Sequence, residues 1–258
     1  MIDDREICMD VGASGGRWDL VLERSLSQSR GLAALRVLAT WGVPTVNTHA
    51  VAQVCNDKLA TTCALRDAGV PIPRTLIAFS EHAAMCAVSD LGYPLVLKPV
   101  AGSWGRLIAR INDGDAAEAL FEHRATLGSP EHSIFYLQEH IDKRGRDIRA
   151  FVVGGETICA VYRESEHWIT NTARGARTSD CPVTAALDAL CVRAAAAVGG
   201  GALAVDVLER DGGMLVCEVN ATMEFRNSID VTGVDIPGKV ADFAFAVARG
   251  QRVLAGAT

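Results

Sequence analysis

Apolar positions along the chain alternate between two periods. From Ser29 to Trp41 an Ala/Leu-rich stretch repeats every three to four residues, which predicts a helix with Gly42 at its C′ position. Val43–Asn47 reads as a short strand. A second helix is predicted over Asp57–Ala68, with Asn56 as N-cap and Gly69 closing it. Pro71 and Pro73 forbid its continuation and mark a boundary. Beyond it come a strand at Thr75–Phe79, a helix from the cap Ser80 to about Gly92 and a strand at Tyr93–Pro99 carrying Lys98. A glycine-bearing loop, Val100–Arg106, leads into a strand ending at Ile111, and an amphipathic helix covers Asp115–Thr126. Residues 74–127 thus predict a compact β-α-β-β-α unit.

The C-terminal half is strand-rich. Strands are predicted at Ile134–Glu139, Ile148–Val153 and Thr157–Tyr162, with Gly154-Gly155 turning the last two into a hairpin. A helix over Thr184–Val198 stops at Gly199-Gly200-Gly201. Ala202–Leu208 and Met214–Val219 flank Asp211-Gly212-Gly213 as a second hairpin, and a final helix runs from Gly238 to Ala248. Residues 1–27 show no clear period. Gly12-Ala13-Ser14-Gly15-Gly16 lacks a following Gly-Lys-Ser/Thr and reads as a loop, not a phosphate cradle.

Composition narrows the function classes. The 258 residues are 49% hydrophobic and 22% charged with a net charge of −6, which describes a folded globular chain of one or two domains. An acidic balance argues against nucleic-acid binding. No apolar run approaches the ~18 residues of a membrane span, and the charged N-terminus is unlike a signal peptide, so no membrane role and a cytoplasmic location are expected. Eight cysteines without a CxxC pair read as reduced, mostly buried thiols.

Candidate chemistry begins in the last hairpin. With the turn centred on Gly212, Asp206 falls opposite Glu218, and alternation puts Asn220 on the face of Glu218. Three hard oxygen ligands suit Mg²⁺ completed by water and phosphate; a polar strand edge is the other reading. Lys98 ends a buried strand before a glycine loop, where a cation can meet phosphate. Lys58 sits in a helix's first turn, against the dipole, which suggests either a ligand or a solvated surface lysine. Arg149 and Arg163 on strands, Arg174 and Arg177 in the loop after His167–Thr172, and Arg226 after the hairpin suggest small anionic ligands or surface ion pairs.

The order of these runs carries a resemblance: Asn56-Asp57-Lys58, Val96–Val100 with Gly102-Ser103-Trp104-Gly105, Gln138-Glu139-His140-Ile141, Arg146-Asp147-Ile148-Arg149, Asp206 and Glu218-Val219-Asn220. It resembles the ATP-grasp ligases of the RimK-like branch, over about residues 20–250. Ser27–Gly31, Lys98–Arg106, His167–Gly175, Met223–Ser228 and Thr232–Gly238 resemble the LysX type in particular, which joins α-aminoadipate to the carrier protein LysW.

The resemblance implies an α+β ATP-grasp fold. A shortened N-terminal α/β domain (1–55) would precede an ATP-grasp domain (56–258). ATP would lie between a small central subdomain (74–133) and a C-terminal antiparallel-sheet subdomain (134–258). It assigns Lys58 and Lys98 to the phosphates, Gly102, Ser103, Trp104, Gly105 and Arg106 to a loop closing over them, and Gln138, Glu139, His140 and Ile141 to the adenine pocket. Asp147 and Arg149 join that nucleotide set, and Arg163, Arg149 and Lys98 would act on the transferring phosphoryl group. Asp206, Glu218 and Asn220 would hold two Mg²⁺ ions. Asn171, Arg174, Gly175, Glu224, Phe225, Arg226, Asn227 and Ser228 would face the amino acid, with Asn227-Ser228 favouring aminoadipate over glutamate.

The implied reaction forms an acyl phosphate and then an amide, which needs concentrated positive charge and excluded water, not a side-chain nucleophile. An acidic carrier protein would be the partner, with Arg144, Arg146 and Arg177 as docking candidates, and a homo-oligomer is expected. Two departures stand out. Only about 26 residues precede the Ser-Gln-Ser-Arg run, fewer than the family's usual opening strand and helix, and Ala176 replaces a common glycine. A glutamate-specific ligase and a non-catalytic ATP-binding relative are the alternatives.

Overall fold

A computed structural model describes residues 2–14, 18–102, 106–126, 133–172 and 175–251. Near the N-terminus, β1 (Val21–Leu22) pairs in parallel with β2 (Thr45–Val46) across the helix α1 (Gln28–Thr40). Ser27 caps α1 by accepting from the Arg30 amide. Two helices follow, α2 (His49–Asn56) and α3 (Lys58–Asp67). Asn56, expected to cap α3, is instead the last residue of α2. Asp57 is the cap, its carboxylate accepting from the Leu59 and Ala60 amides, and its negative charge suits the helix N-terminus.

The small subdomain is a four-stranded antiparallel sheet in the order β3 (Thr75–Ala78), β6 (Phe135–Glu139), β4 (Leu95–Lys98), β5 (Ala109–Ile111). Alternation splits it. Leu95, Leu97, Phe135 and Leu137 pack with Ile111 under α4 (Glu81–Leu91) and α5 (Gly114–Thr126). Lys98, Tyr136 and Gln138 occupy the other face.

The large sheet orders its strands β11 (Gly213–Asn220), β10 (Ala202–Arg210), β7 (Arg146–Val153), β8 (Glu156–Glu164), β9 (Arg177–Asp180), all antiparallel. Ile148, Ala150, Val152, Leu203, Val205 and Val207 pack with residues of α2, α3 and α6 (Ala185–Ala197). Phe151, Val153, Val161, Ala202 and Ala204 pack with residues of α8 (Ile236–Ala248) on the opposite face. The short helix α7 (Arg226–Thr232) connects β11 to α8 and ends at Gly233 in the left-handed region.

Asn47 staples the N-terminal segment to this sheet. Its buried amide donates to the Ala202 and Ala221 carbonyls at 2.8 and 2.6 Å and accepts from the Ala202 amide at 2.8 Å. Gly201, at φ +122°, lets that side chain approach: a Cβ there would lie 2.0 Å from Asn47 Oδ1.

Candidate active site

The β10–β11 hairpin closes on Asp211-Gly212, a two-residue turn, because Arg210 faces Gly213. Regular pairing from that turn would set Asp206 opposite Cys217. A one-residue bulge at Cys217 shifts the register, so Val207 faces Val216 while Asp206 faces Glu218 and Ala204 faces Asn220. The expected Asp206–Glu218 pairing therefore occurs, but through a bulge and not through a turn centred on Gly212.

Cations surround these oxygens. Asp206 is buried and held by Arg149 through Nε at 2.8 Å and Nη2 at 2.9 Å, with Arg163 Nη2 at 3.3 Å. Burial alone would raise its pKa, but the two guanidiniums hold it well below the usual carboxylate range. Arg163 is buried too; burial opposes its charge, yet Asp206 and Asp147 keep its pKa raised. Asp147 takes Arg163 Nε at 2.7 Å, Lys143 Nζ at 3.1 Å and a short hydrogen bond from Thr170. Its carboxylate therefore fixes Arg163 and the 165–172 loop.

Lys58, at the N-terminus of α3, is 3.5 Å from Glu218 and donates to the Gly102 carbonyl at 2.5 Å. Lys98 donates to Gln138 Oε1 at 2.6 Å and to Cys217 Sγ at 3.3 Å. Burial opposes the Lys98 ammonium, but Cys217, Tyr136 and Glu218 outweigh it and raise its pKa.

These residues line a continuous cleft. One end is walled by Val96, Lys98, Gln138, Glu139, His140, Ile141, Asp147, Arg163, Trp168 and Cys217. The other holds Arg24, Lys58, Gly102, Arg106, Arg149, Asn171, Asn220 and Glu224. Asp206 and Glu218 border both ends. Beside them a smaller hollow is lined by Arg149, Arg163, Thr172, Thr178, Glu224, Asn227 and Ser228.

Several of the expected residues have partners of their own in the structure. Gln138 is 3% exposed and commits its amide oxygen to Lys98. Glu139 accepts from the Arg74 amide at 2.7 Å. Phe225 lies under the Arg24 guanidinium at 4.9 Å, and Arg226 is exposed at the start of α7. Gly175 adopts φ +88°. Ser103, Trp104, Gly105 and Arg174 lie outside the described residues.

Sequence reasoning also passed over residues that the structure brings to the cleft. Trp168 stands near His140, with ring centroids 6.1 Å apart, and under the Arg110 guanidinium at 5.9 Å. Burial, then Arg110, lowers the His140 pKa. Cys217 was missed because regular pairing about a turn centred on Gly212 puts it on the face opposite Glu218 and allows for no bulge. Tyr136 did carry a signal, the alternation of Phe135–Glu139, which places it with the expected Gln138 on the face of Lys98.

Comparisons with known proteins agree with this geometry. Residues 55–244 match the RimK-like ATP-grasp domain, and residues 1–54 match the LysX preATP-grasp domain. The chain belongs to the RimK-like ATP-grasp family. It is 36% identical over 220 residues to the α-aminoadipate–LysW ligase LysX of Saccharolobus solfataricus, covering 84% of this chain and 80% of that protein. Against the glutamate–LysW ligase ArgX of Sulfurisphaera tokodaii it is 35% identical over 231 residues, 88% and 82% of the two chains. The RimK domain ATP-grasp protein of Sphaerobacter thermophilus superposes with a TM-score of 0.76 at 31% identity, over 93% of this chain and 87% of that one. D-alanine–D-alanine ligase of Bacillus anthracis shares the fold, with a TM-score of 0.71 at 17% identity. The protein is an ATP-grasp ligase with an α+β architecture.

ATP-grasp enzymes use ATP and magnesium ions. The cleft fits such an ion. Asp206, Glu218 and Asn220 offer two carboxylates and an amide, the hard oxygen donors that magnesium takes. Asn220 Nδ2 is buried without a hydrogen-bond partner, so the amide is free to turn its oxygen inward. Among the described residues no group of three His, Cys, Asp or Glu could hold a metal by itself.

Proposed function

We propose that the protein joins the α-amine of 2-aminoadipate to the C-terminal glutamate γ-carboxylate of an acidic amino-group carrier protein. ATP is consumed through an acyl phosphate, as part of lysine or related amino-acid biosynthesis. The supporting observation is the position of Asp206 and Glu218 at the boundary between the end of the cleft that holds Lys98 and Arg163 and the end that holds Lys58, Arg149 and Asn220. Phosphoryl transfer at that boundary is flanked by Lys58, Lys98, Arg149 and Arg163, all desolvated or partly so.

Magnesium bound at Asp206, Glu218 and Asn220, two ions by this reading, would neutralise the triphosphate. Each cation now paired with those carboxylates then gains a phosphate oxygen as an alternative partner. The donor carboxylate attacks the γ-phosphorus as the bond to ADP breaks. The amine then attacks the acyl carbon, phosphate leaves and an amide remains. Lys98 and Arg163 are buried at this point, where the activated acyl group would have to be kept from water.

The relatives named for aminoadipate and for glutamate are equally similar to this chain. Asn227 and Ser228 favour aminoadipate. They open α7 and line the small hollow beside Arg149 and Arg163, where the side chain of an amino-dicarboxylate would end. Steady-state ADP release, with carrier and saturating Mg²⁺, should give a kcat/KM for aminoadipate at least about tenfold above that for glutamate, the value of one added methylene in a fitted pocket. A ratio below one would transfer the assignment to the glutamate reaction.

A further inference from the structure

A chain of buried polar side chains leads from Lys98 back to the helix that carries Lys58. The Lys98 ammonium donates to Gln138 Oε1 at 2.6 Å. The Gln138 amide nitrogen donates to Thr75 Oγ1 at 3.0 Å and to the Tyr136 hydroxyl at 3.2 Å. The Tyr136 hydroxyl lies 2.7 Å from Thr62 Oγ1. Thr62 stands one turn after Lys58 on α3. Tyr136, Gln138 and Lys98 are 1%, 3% and 8% exposed, so water does not stand in for a missing member.

The register explains the assembly. Tyr136 faces Lys98 across β4–β6, and Gln138 faces Val96 on β4 and Thr75 on β3. All point away from the Leu95, Leu97, Phe135 and Leu137 core. An ammonium on a four-carbon stem has three donors and many rotamers. Here Gln138 and Cys217 take two donors, and the third is left toward the cleft. That arrangement requires the amide oxygen of Gln138, not its nitrogen, to face Lys98. Thr75 gives its hydroxyl hydrogen to the Pro73 carbonyl and so meets the amide only as an acceptor, as Tyr136 does when it donates to Thr62, and the oxygen is turned to the ammonium.

We propose that Tyr136 and Gln138 are positioning residues for the nucleotide: the chain from Thr62 through Tyr136 fixes the amide sense of Gln138 and so aims Lys98 at the triphosphate. The proposal rests on the cleft being the MgATP site and not on which amino acid is joined. A network that merely supported the sheet would change stability without acting through Lys98.

The test is a double-mutant cycle on binding, read with a non-hydrolysable MgATP analogue and the full chain. Tyr136→Phe keeps the ring and removes the hydroxyl. It should weaken the analogue about tenfold in the wild-type background, roughly the worth of one buried hydrogen bond to a charged-group network, and less than about twofold in Lys98→Met. Thr62→Val reaches the same chain from α3 without touching the buried ring. Its smaller loss, about threefold, should vanish in Lys98→Met as well. Equal losses in both backgrounds, or none in either, would overturn the relay. A wild-type chain that does not bind the analogue would instead contradict the nucleotide reading, and the relay with it.

Discussion

Asp206 is a carboxylate removed from water and kept ionised by Arg149 and Arg163. Its lowered pKa makes its contribution to stability present above the ordinary carboxylate value, about 4, and lost as pH falls toward the folded value. Urea midpoints should therefore fall below about pH 4, and Asp206→Asn should flatten that part of the curve. The same substitution leaves the buried Arg163 and the half-buried Arg149 guanidiniums under-paired, which costs about 3–5 kcal/mol and should appear as a lower melting temperature. It should also abolish Mg²⁺-dependent ADP release. This residue was legible in the sequence as an acid on a hairpin that also carries Glu218, although regular spacing from the actual turn would have paired it with Cys217. What spacing could not show is that, without magnesium, both carboxylates already carry cations of the same cleft, Glu218 through Lys58.

At the scale of elements, long periodic segments were readable and short ones were not. The helices α4, α5 and α6 and the strands of both sheets other than β9 follow from period and turn residues. The helix α2 has eight residues and only three buried, too few for a periodic signal. β9 is four polar, largely exposed residues whose pairing comes entirely from β8. α7 has no side-chain cap and owes its place to contacts with β8 and β9. The bulge at Cys217 is likewise a product of tertiary fit, since nothing local in Val216-Cys217-Glu218 demands it. Gly201 is a position where one atom decides an interface. Gly201→Ala would drive a Cβ into Asn47 and strain a positive φ, so a loss of about 2–4 kcal/mol is expected in denaturant titrations. Hydrogen exchange should quicken at β1 and β2 before it does in the large sheet.

For the whole molecule, the expected carrier-docking arginines divide by their existing partners. Arg144 pairs with Asp211 at 2.7 Å, and Arg146 pairs with Glu209 at 2.9 Å while lying 4.0 Å over the Tyr162 ring. Arg177 is exposed at the start of β9. Arg177→Glu should raise the KM for an acidic carrier about tenfold and leave that for ATP unchanged, whereas Arg144→Glu should shift either KM less than about threefold. Among the described residues no helix is long and apolar enough to cross a membrane. The order of motifs made the ATP-grasp frame readable over most of the chain, while the contact of Lys98 with Cys217, across the two sheets, emerged only from their assembly.

The central claim is a covalent one, and intact-mass spectrometry reads it directly. An acidic carrier ending in glutamate is incubated with the protein, ATP, Mg²⁺ and either aminoadipate or glutamate. The account predicts a mass gain of one aminoadipate less one water, dependent on ATP and Mg²⁺, with little gain from glutamate. A gain from glutamate alone would contradict the role given to Asn227 and Ser228. With a carrier that a related ligase does modify, no gain from either amino acid would contradict the proposed reaction.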